Sequence, residues 1–292
     1  MSGANNNPSS FRDQSNTYFM PDRASREETI RLQIQDQMIN LGMGGVLPEQ
    51  DNPIRFEQIL DIGCGTGGWL IEAAVTYPAI SRLVGLDVNG KFLAAARKQA
   101  EQQQVSDRVQ FQTMDILQQL EFPSSSFDLV NQRLAMSYLR IWDWPKALKE
   151  YQRVTRPGGI IRLTESDFPV STSAALTRLS ALFLRTLSQA GHFFTPDDPD
   201  GVINELASLL QRQRLTHIQT QRHTLEYRTG TPEWQSFYEN VQHMFRTLLP
   251  FFHKWSRVPD DYEEIYQQAL NDILQPDFVA TWTLLTAWGT KE

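Results

Sequence analysis

The sequence predicts an α/β protein built on a doubly wound, mostly parallel sheet. Three observations lead there. Apolar runs suited to buried strands alternate with helix-patterned stretches between Gln58 and Asp167. A glycine turn, Gly63-Cys64-Gly65-Thr66-Gly67-Gly68, follows the first apolar run directly. Acids stand at or beside the ends of three successive strands, as Asp61, Asp87 and Asp115. Rossmann-like sheets of this kind bind ligands beyond the carboxyl ends of their strands, and all three acids would lie on that edge.

At 292 residues the chain has room for one elaborated domain, or for a core with a substantial insertion. A formal net charge of −7 and the lack of a basic stripe argue against a nucleic-acid partner. Arg153, Arg156 and Arg162 read as solvated faces. The single cysteine, Cys64, excludes an internal disulfide and a cysteine-built zinc site. His192, His217, His223, His243 and His253 show no tight ligand spacing, so no metal is expected. With neither a signal pattern nor an apolar run of spanning length, the expectation is a soluble cytoplasmic protein, monomer or homodimer, with no membrane partner.

In chain order, residues 1–16 are polar and read as a disordered tail. Residues 17–53 form an N-terminal helical segment, capped by Asp22 or Ser25, with Glu27 and Glu28 in its first turn. Its apolar face is expected at Ile30, Ile34, Met38 and Leu41. Residues 54–169 hold the core: a strand through Ile59, Leu60 and Ile62, the glycine turn, and a helix from Trp69. A second strand, Arg82–Val88, is followed by a helix over Lys91–Gln103. A third, Arg108–Asp115, alternates polar and apolar residues and again ends in an acid. The fourth contains Phe127–Val130. Trp144–Val154 is a helix stopped by Pro157-Gly158-Gly159, and Ile160–Asp167 is the fifth strand.

The turn alone is ambiguous. Gly63, Gly65 and Gly68 satisfy a dinucleotide pattern, whereas Gly63, Gly65 and Gly67 fit a nucleoside loop without pyrophosphate. Asp61, two residues before the first glycine, is a poor neighbour for pyrophosphate and a good one for a cation. S-adenosylmethionine carries an ammonium and a sulfonium, and its only anion is a carboxylate. About 20 residues past the glycines, Asp87 is placed to accept both hydroxyls of a ribose. Asp115 can accept from an adenine amino group while Ile116 packs on the ring.

Taken together, Leu60-Asp61-Ile62-Gly63-Cys64-Gly65-Thr66-Gly67, Gly85-Leu86-Asp87, Met114-Asp115, Phe127-Asp128-Leu129-Val130 and Arg156-Pro157-Gly158-Gly159 resemble a class I S-adenosylmethionine-dependent methyltransferase. The resemblance covers roughly residues 55–168. Upstream, Asn16-x-Tyr18, Met20-Pro21-Asp22 and Glu28-x-x-Arg31-Leu32-x-x-Gln35 are similar to the branch holding fungal secondary-metabolism regulators and small-molecule methyltransferases. Arg133 with Trp142-x-Trp144-Pro145 fits that branch. The resemblance implies a seven-stranded sheet of order 3-2-1-4-5-7-6 with strand 7 antiparallel. It also implies that Tyr18 and Arg31 fold over the cofactor, Arg31 pairing with the methionine carboxylate. Cys64, Val88, Asn131 and Arg133 join the implied cofactor set.

The rest of the chain supplies strand 6 within 215–230, strand 7 within 277–292, and helical segments after strand 5 (170–214) and between strands 6 and 7 (231–276). Those helices form a cap. Its aromatic residues, from Trp234 to Trp255, read mainly as packing, with the remainder lining an apolar pocket above the transferred methyl. The acceptor is therefore expected to be small and apolar or aromatic. Where it must lose a proton, Glu165, Asp167, Tyr138 and His192 are candidate bases, with His243 reaching in from the cap. Two other classes stay open: a regulatory or binding protein of the same fold without turnover, and an NAD(P)-dependent oxidoreductase. The acidic charge and the sequence Asn131-Gln132-Arg133-Leu134 after strand 4 count against protein or RNA methylation.

Overall fold

The computed structural model describes residues 26–195 and 202–292. Tyr18, the helix-capping candidates Asp22 and Ser25, and the polar tail lie outside those residues. Five parallel strands make the core: β1 (Gln58–Ile62), β2 (Arg82–Asp87), β3 (Val109–Thr113), β4 (Phe127–Arg133) and β5 (Thr155–Ser166), ordered β3-β2-β1-β4-β5. β6 (Val170–Ser171), β7 (Thr216–Arg228) and β8 (Val279–Thr290) complete the sheet. β8 runs antiparallel to both β5 and β7. It is the reversed strand expected between strands 5 and 6.

The eighth strand is an addition to the seven expected. β6 is two residues long and pairs with Thr281 and Ala280 of β8, whereas β5 pairs with Leu284 onward. It continues the line of β5 after an interruption at Asp167-Phe168-Pro169. Pro169 has no N–H to give to a ladder, and the interruption turns Asp167 and Phe168 toward the cavity described below.

Helices cover both faces. α1 (Arg26–Gly42), α2 (Gly68–Thr76), α3 (Gly90–Gln102) and α4 (Trp144–Val154) belong to the first two-thirds of the chain. α4 buries Trp144, Ala147, Leu148, Tyr151 and Val154, a stripe at helical spacing. α5 (Ala174–Gln189) starts where Ser173 Oγ accepts from the Leu176 N–H at 3.0 Å. α6 (Leu206–Arg212) leads into β7, and α7 (Pro232–Thr247), α8 (Leu249–Trp255) and α9 (Tyr262–Ile273) fill the interval before β8. α5 packs on α8 and α9, and α7 packs on α1. Among the described residues no helix is long and apolar enough to cross a membrane.

Two expectations about burial are corrected. α1 does not bury Ile30 and Leu41, which are 36% and 66% exposed. It buries Glu28, Arg31 and Asn40 along with Met38 and Ile39, because its inward face is shared between the apolar core, which Met38 and Ile39 join, and the cavity, which Arg31, Leu32, Gln35 and Asp36 line. Arg162 is not solvated: its side chain is fully buried against that of Glu49, also fully buried, with Nε 2.7 Å from Glu49 Oε1. Arg156 does sit at the surface, with one edge on Asp128.

Candidate active site

A cavity of about 220 Å³ opens at the carboxyl ends of β1, β2 and β4 and extends beneath α1, α5 and α7. Its first half is polar. Asp61, Gly63 and Cys64 reach it from β1 and the turn, Asp87 and Val88 from β2, and Asp115 and Ile116 from the segment after β3. Arg31, Gln35 and Asp36 close it from α1, and Arg133 from the end of β4. Asp61, Asp87 and Asp115 thus share one edge.

The glycine turn is shaped by close approach. Gly63, Gly65 and Gly67 have φ of +64°, +54° and +76°, in the left-handed region that favours glycine. A Cβ on Gly63 would collide with the Tyr138 hydroxyl, and one on Gly67 would meet the Phe111 ring. Gly65 and Gly67 do not line the cavity; they set the backbone that does. Asp87 fastens this turn, its Oδ2 accepting from the Gly65 N–H at 3.0 Å and its Oδ1 from the Asn89 N–H at 2.7 Å.

Buried charges meet at the centre. Arg133 donates to Asp36 Oδ1 at 2.6 Å and to Asn40 Oδ1 at 2.8 Å, tying the end of β4 to α1. Arg31 holds Glu28 through two hydrogen bonds of 2.8 Å and also donates to Gln35 and Asn240. Asn131 does not line the cavity. It stands behind Asp61, its Nδ2 donating to Asp61 Oδ1 at 2.7 Å. Burial pushes the Asp61 carboxyl up to about 7, opposed by the Arg133 charge and the Asn131 hydrogen bond. Desolvation likewise raises the Cys64 thiol well above its ordinary value, so that sulfur is a neutral wall atom.

The second half of the cavity is apolar. Phe168, Leu176 and Phe183 line it from β5's end and α5, Phe237, Val241, Met244 and Phe245 from α7, and Trp282 from β8. The aromatic run of the cap divides as helical spacing dictates. Phe237, Val241, Met244 and Phe245 share the inward face, while Trp234, Tyr238, Phe251, Phe252 and Trp255 pack elsewhere in the core.

The four candidate bases separate clearly. Tyr138 and Asp167 line the cavity. Burial holds the Tyr138 hydroxyl well above its ordinary pKa, which makes it a donor and not a base. Asp167 Oδ1 accepts from the Thr283 N–H at 2.8 Å, fixing the carboxylate at the rim. Glu165 and His192 do not reach the cavity, and both assignments are corrected. Glu165 is fully buried and accepts from the N–H groups of Ala135 and Met136 at 2.6 and 3.3 Å, holding the turn that carries Ser137 and Tyr138 inward. Burial raises its carboxyl to about 8. His192 is fully buried, 3.2 Å from the Leu139 carbonyl, and burial lowers its pKa to about 4, so it stays neutral. His243, on α7, is also absent from the lining.

Several lining residues escaped sequence reasoning. Asp36 carried no signal beyond lying five residues after Arg31, and Gln35 stood in the upstream motif without being assigned to the site. Leu117 and Phe92 also line the cavity, and Phe92 was legible only as an inward residue of its helix. Among the described residues no cluster of three or more His, Cys, Asp or Glu could hold a metal ion.

A doubly wound sheet with a left-handed glycine turn and acids at the ends of its first two strands defines a nucleoside-binding α/β domain. Residues 59–159 match the family model described as a methyltransferase domain. The demethylmenaquinone methyltransferase of Lactiplantibacillus plantarum is 34% identical over 111 residues, which are 38% of this chain and 46% of that one. The O-methyltransferase cnsE of Penicillium expansum is 31% identical over 45% of this chain and 47% of its own. The aklanonic acid methyltransferase DauC of Streptomyces sp. (strain C5) is 29% identical over 58% and 75%. The chain thus spans about half the length of the first two. Among solved structures, the YcgJ protein of Bacillus subtilis is 20% identical over 81% of this chain and 92% of that one, with a TM-score of 0.48.

Proposed function

We propose that this protein is an S-adenosylmethionine-dependent methyltransferase whose acceptor is a small, apolar or aromatic molecule. The observation that carries this is the division of one cavity into a carboxylate-rich half at the strand ends and an aromatic half under the cap. The donor set of the first half fits the cofactor. Asp61 faces its cationic end, Asp87 its ribose hydroxyls, and Asp115 with Ile116 its adenine. Arg31 and Arg133 offer guanidinium groups for its carboxylate, although each already holds a partner within the protein. Gly63 leaves the passage between the halves free of a side chain, where any Cβ would displace Tyr138. The relatives with named substrates include quinone and polyketide methyltransferases, which agrees with an apolar acceptor.

When bound, the cofactor supplies a methyl group made electrophilic by its sulfonium. What remains for this chain is to hold an acceptor atom in line and keep water out. Phe168, Phe183, Phe237 and Phe245 provide a water-poor wall and flat surfaces for stacking. Tyr138, protonated and standing over Gly63, can donate a hydrogen bond to a polar atom of the acceptor. Asp167 is the carboxylate at the rim of this half that can take a proton from a hydroxyl acceptor.

Calorimetric titration with S-adenosylhomocysteine beside NADH tests the reading, followed by an acceptor panel of quinones, phenols and polyketide-like acids. Micromolar binding of the first nucleoside, none of NADH, and methyl transfer to a panel member is the expected result. Binding of NADH instead would move the function to the oxidoreductases. Tight S-adenosylhomocysteine binding with neither transfer nor cofactor hydrolysis would make this a regulatory protein of the same fold.

A further inference from the structure

Behind the cavity wall lies a row of polar side chains in a part of the sheet that is otherwise apolar. Asp61 of β1, Asn131 of β4 and Arg162 of β5 are register partners on three adjacent strands. Their side chains touch in sequence. Arg162 donates to Asn131 Oδ1 at 2.8 Å, and Asn131 Nδ2 donates to Asp61 Oδ1 at 2.7 Å. Glu49, from the segment between α1 and β1, closes the far end with Oε1 and Oε2 2.7 and 3.1 Å from Arg162 Nε and Nη2. The Trp69 ring of α2 lies 5.9 Å from the guanidinium centre. Arg162 and Asn131 are fully buried, and Asp61 is 3% exposed. Only Asp61 reaches the cavity.

The row has a direction. An arginine can only donate, so it forces the oxygen of the Asn131 amide toward β5. The NH₂ must then point toward β1, and the carboxylate beside it is obliged to accept. With Oδ1 engaged in this way, Oδ2 is the oxygen left to meet a cation in the cavity. Such a chain of hydrogen bonds in a low-dielectric interior is worth more than its separate links. An arginine and a glutamate buried together in a sheet are costly when hydrophobic residues could fill the same space, so a task beyond packing would account for them.

We propose that Arg162, held by Glu49, is a positioning residue that acts through Asn131 to keep Asp61 oriented and ionised toward the cationic end of the cofactor. The inference rests on the methyltransferase reading for the identity of that cation. It does not rest on it for the link between Arg162 and Asp61. Other charged and titratable groups also face Asp61: Arg133 from β4, Asp36 from α1, and Cys64 and Tyr138 from the loops. They are left in place by the test.

Arg162→Met alone would strand a buried Glu49 and risk unfolding, so the variant is Glu49→Gln with Arg162→Met. The first readout needs no ligand: carboxyl ¹³C titration of Asp61, with its resonance assigned by Asp61→Asn. The second is the pH profile of S-adenosylhomocysteine affinity, measured in the wild type, the double variant, Asp61→Asn and the triple variant. The expected result is an upward move of the Asp61 midpoint in the double variant and about a tenfold loss of affinity near pH 7. That loss should disappear once Asp61 is already Asn. A midpoint that stays in place, or an equal loss of affinity with and without the Asp61 carboxyl, would overturn the proposal and leave Arg162 a packing residue. Failure of the wild type to bind the nucleoside would count against the methyltransferase reading, and the ligand-free titration would then decide the relay by itself.

Discussion

The Asp87 carboxylate at the end of β2 accepts a hydrogen bond from the backbone N–H of Gly65, the middle glycine of the turn after β1, at 3.0 Å. The acid expected to read a ribose is therefore also the clasp of the loop expected to approach the nucleoside. Asp87→Ala should weaken S-adenosylhomocysteine binding through both roles. Loss of hydrogen bonds to a charged group costs about 1.5–3 kcal/mol, or roughly ten- to a hundredfold in affinity. Because Asp87 is only half-buried, the melting temperature should fall little. Unchanged affinity by calorimetry would sink the ribose assignment.

Arg31 poses the opposite problem, since binding and folding are entangled there. Its guanidinium and the Glu28 carboxylate are 3% and 0% exposed, and Arg31→Ala leaves that carboxylate buried alone. Breaking one side of a buried pair costs about 3–5 kcal/mol. Replacing Glu28 by Gln in the same chain should restore much of the stability. If Arg31 also meets the cofactor carboxylate, as its place on the cavity suggests, affinity for S-adenosylhomocysteine stays low in the restored double variant. Recovery of affinity along with the melting temperature would make the pair scaffold.

The contrast between Asp87 and Arg162 shows what the sequence could and could not reveal. Asp87 follows a strand and precedes a helix, and its distance from the glycines is itself the signal. Nothing marks Arg162, which stands among Ile160, Ile161 and Leu163. Its role depends on which residues of β1 and β4 lie beside it, and register between distant strands is not written in local pattern. Glu165 was misplaced for another reason: neighbours of both parities are apolar and buried, so the strand's pattern does not say which face meets the cavity. Glu165 shares strand parity with Ile161 and Leu163, which join the core, whereas Ser166 has the other parity and lines the cavity. The polar buried face of α1 was hidden for a related reason: helical periodicity finds apolar stripes, and this helix covers a cavity with Arg31, Gln35 and Asp36.

Glu165 gives a prediction of sign. Its folded pKa of about 8 lies above the ordinary 4.5 of a glutamate in the unfolded chain. Below the unfolded value both states are protonated and nothing is lost. As pH rises from about 4.5 toward 8 the unfolded chain releases this proton first, so stability contributed by Glu165 falls across that window. Glu165→Gln mimics the protonated side chain and abolishes the dependence. Urea midpoints measured from pH 5 to pH 8 should therefore decline in the wild type relative to the variant. Parallel curves would mean that Glu165 ionises normally in the fold.

The two halves of the cavity should be separable by filling one of them. Met244 lines the apolar half from α7 and is only partly buried, so it can be enlarged with less strain than fully buried Phe237 or Phe245. Met244→Trp would project the indole into the space assigned to the acceptor. Affinity for S-adenosylhomocysteine should stay within about twofold, since no carboxylate or turn residue moves. Turnover of any acceptor found in the panel should drop by at least tenfold, a barrier increase of about 1.4 kcal/mol or more. Smaller acceptors should be affected least, because the new side chain removes room and not chemistry. If instead nucleoside affinity collapsed while acceptor turnover at saturating cofactor persisted, the assignment of the halves would be reversed, and the aromatic wall under α7 would belong to the cofactor.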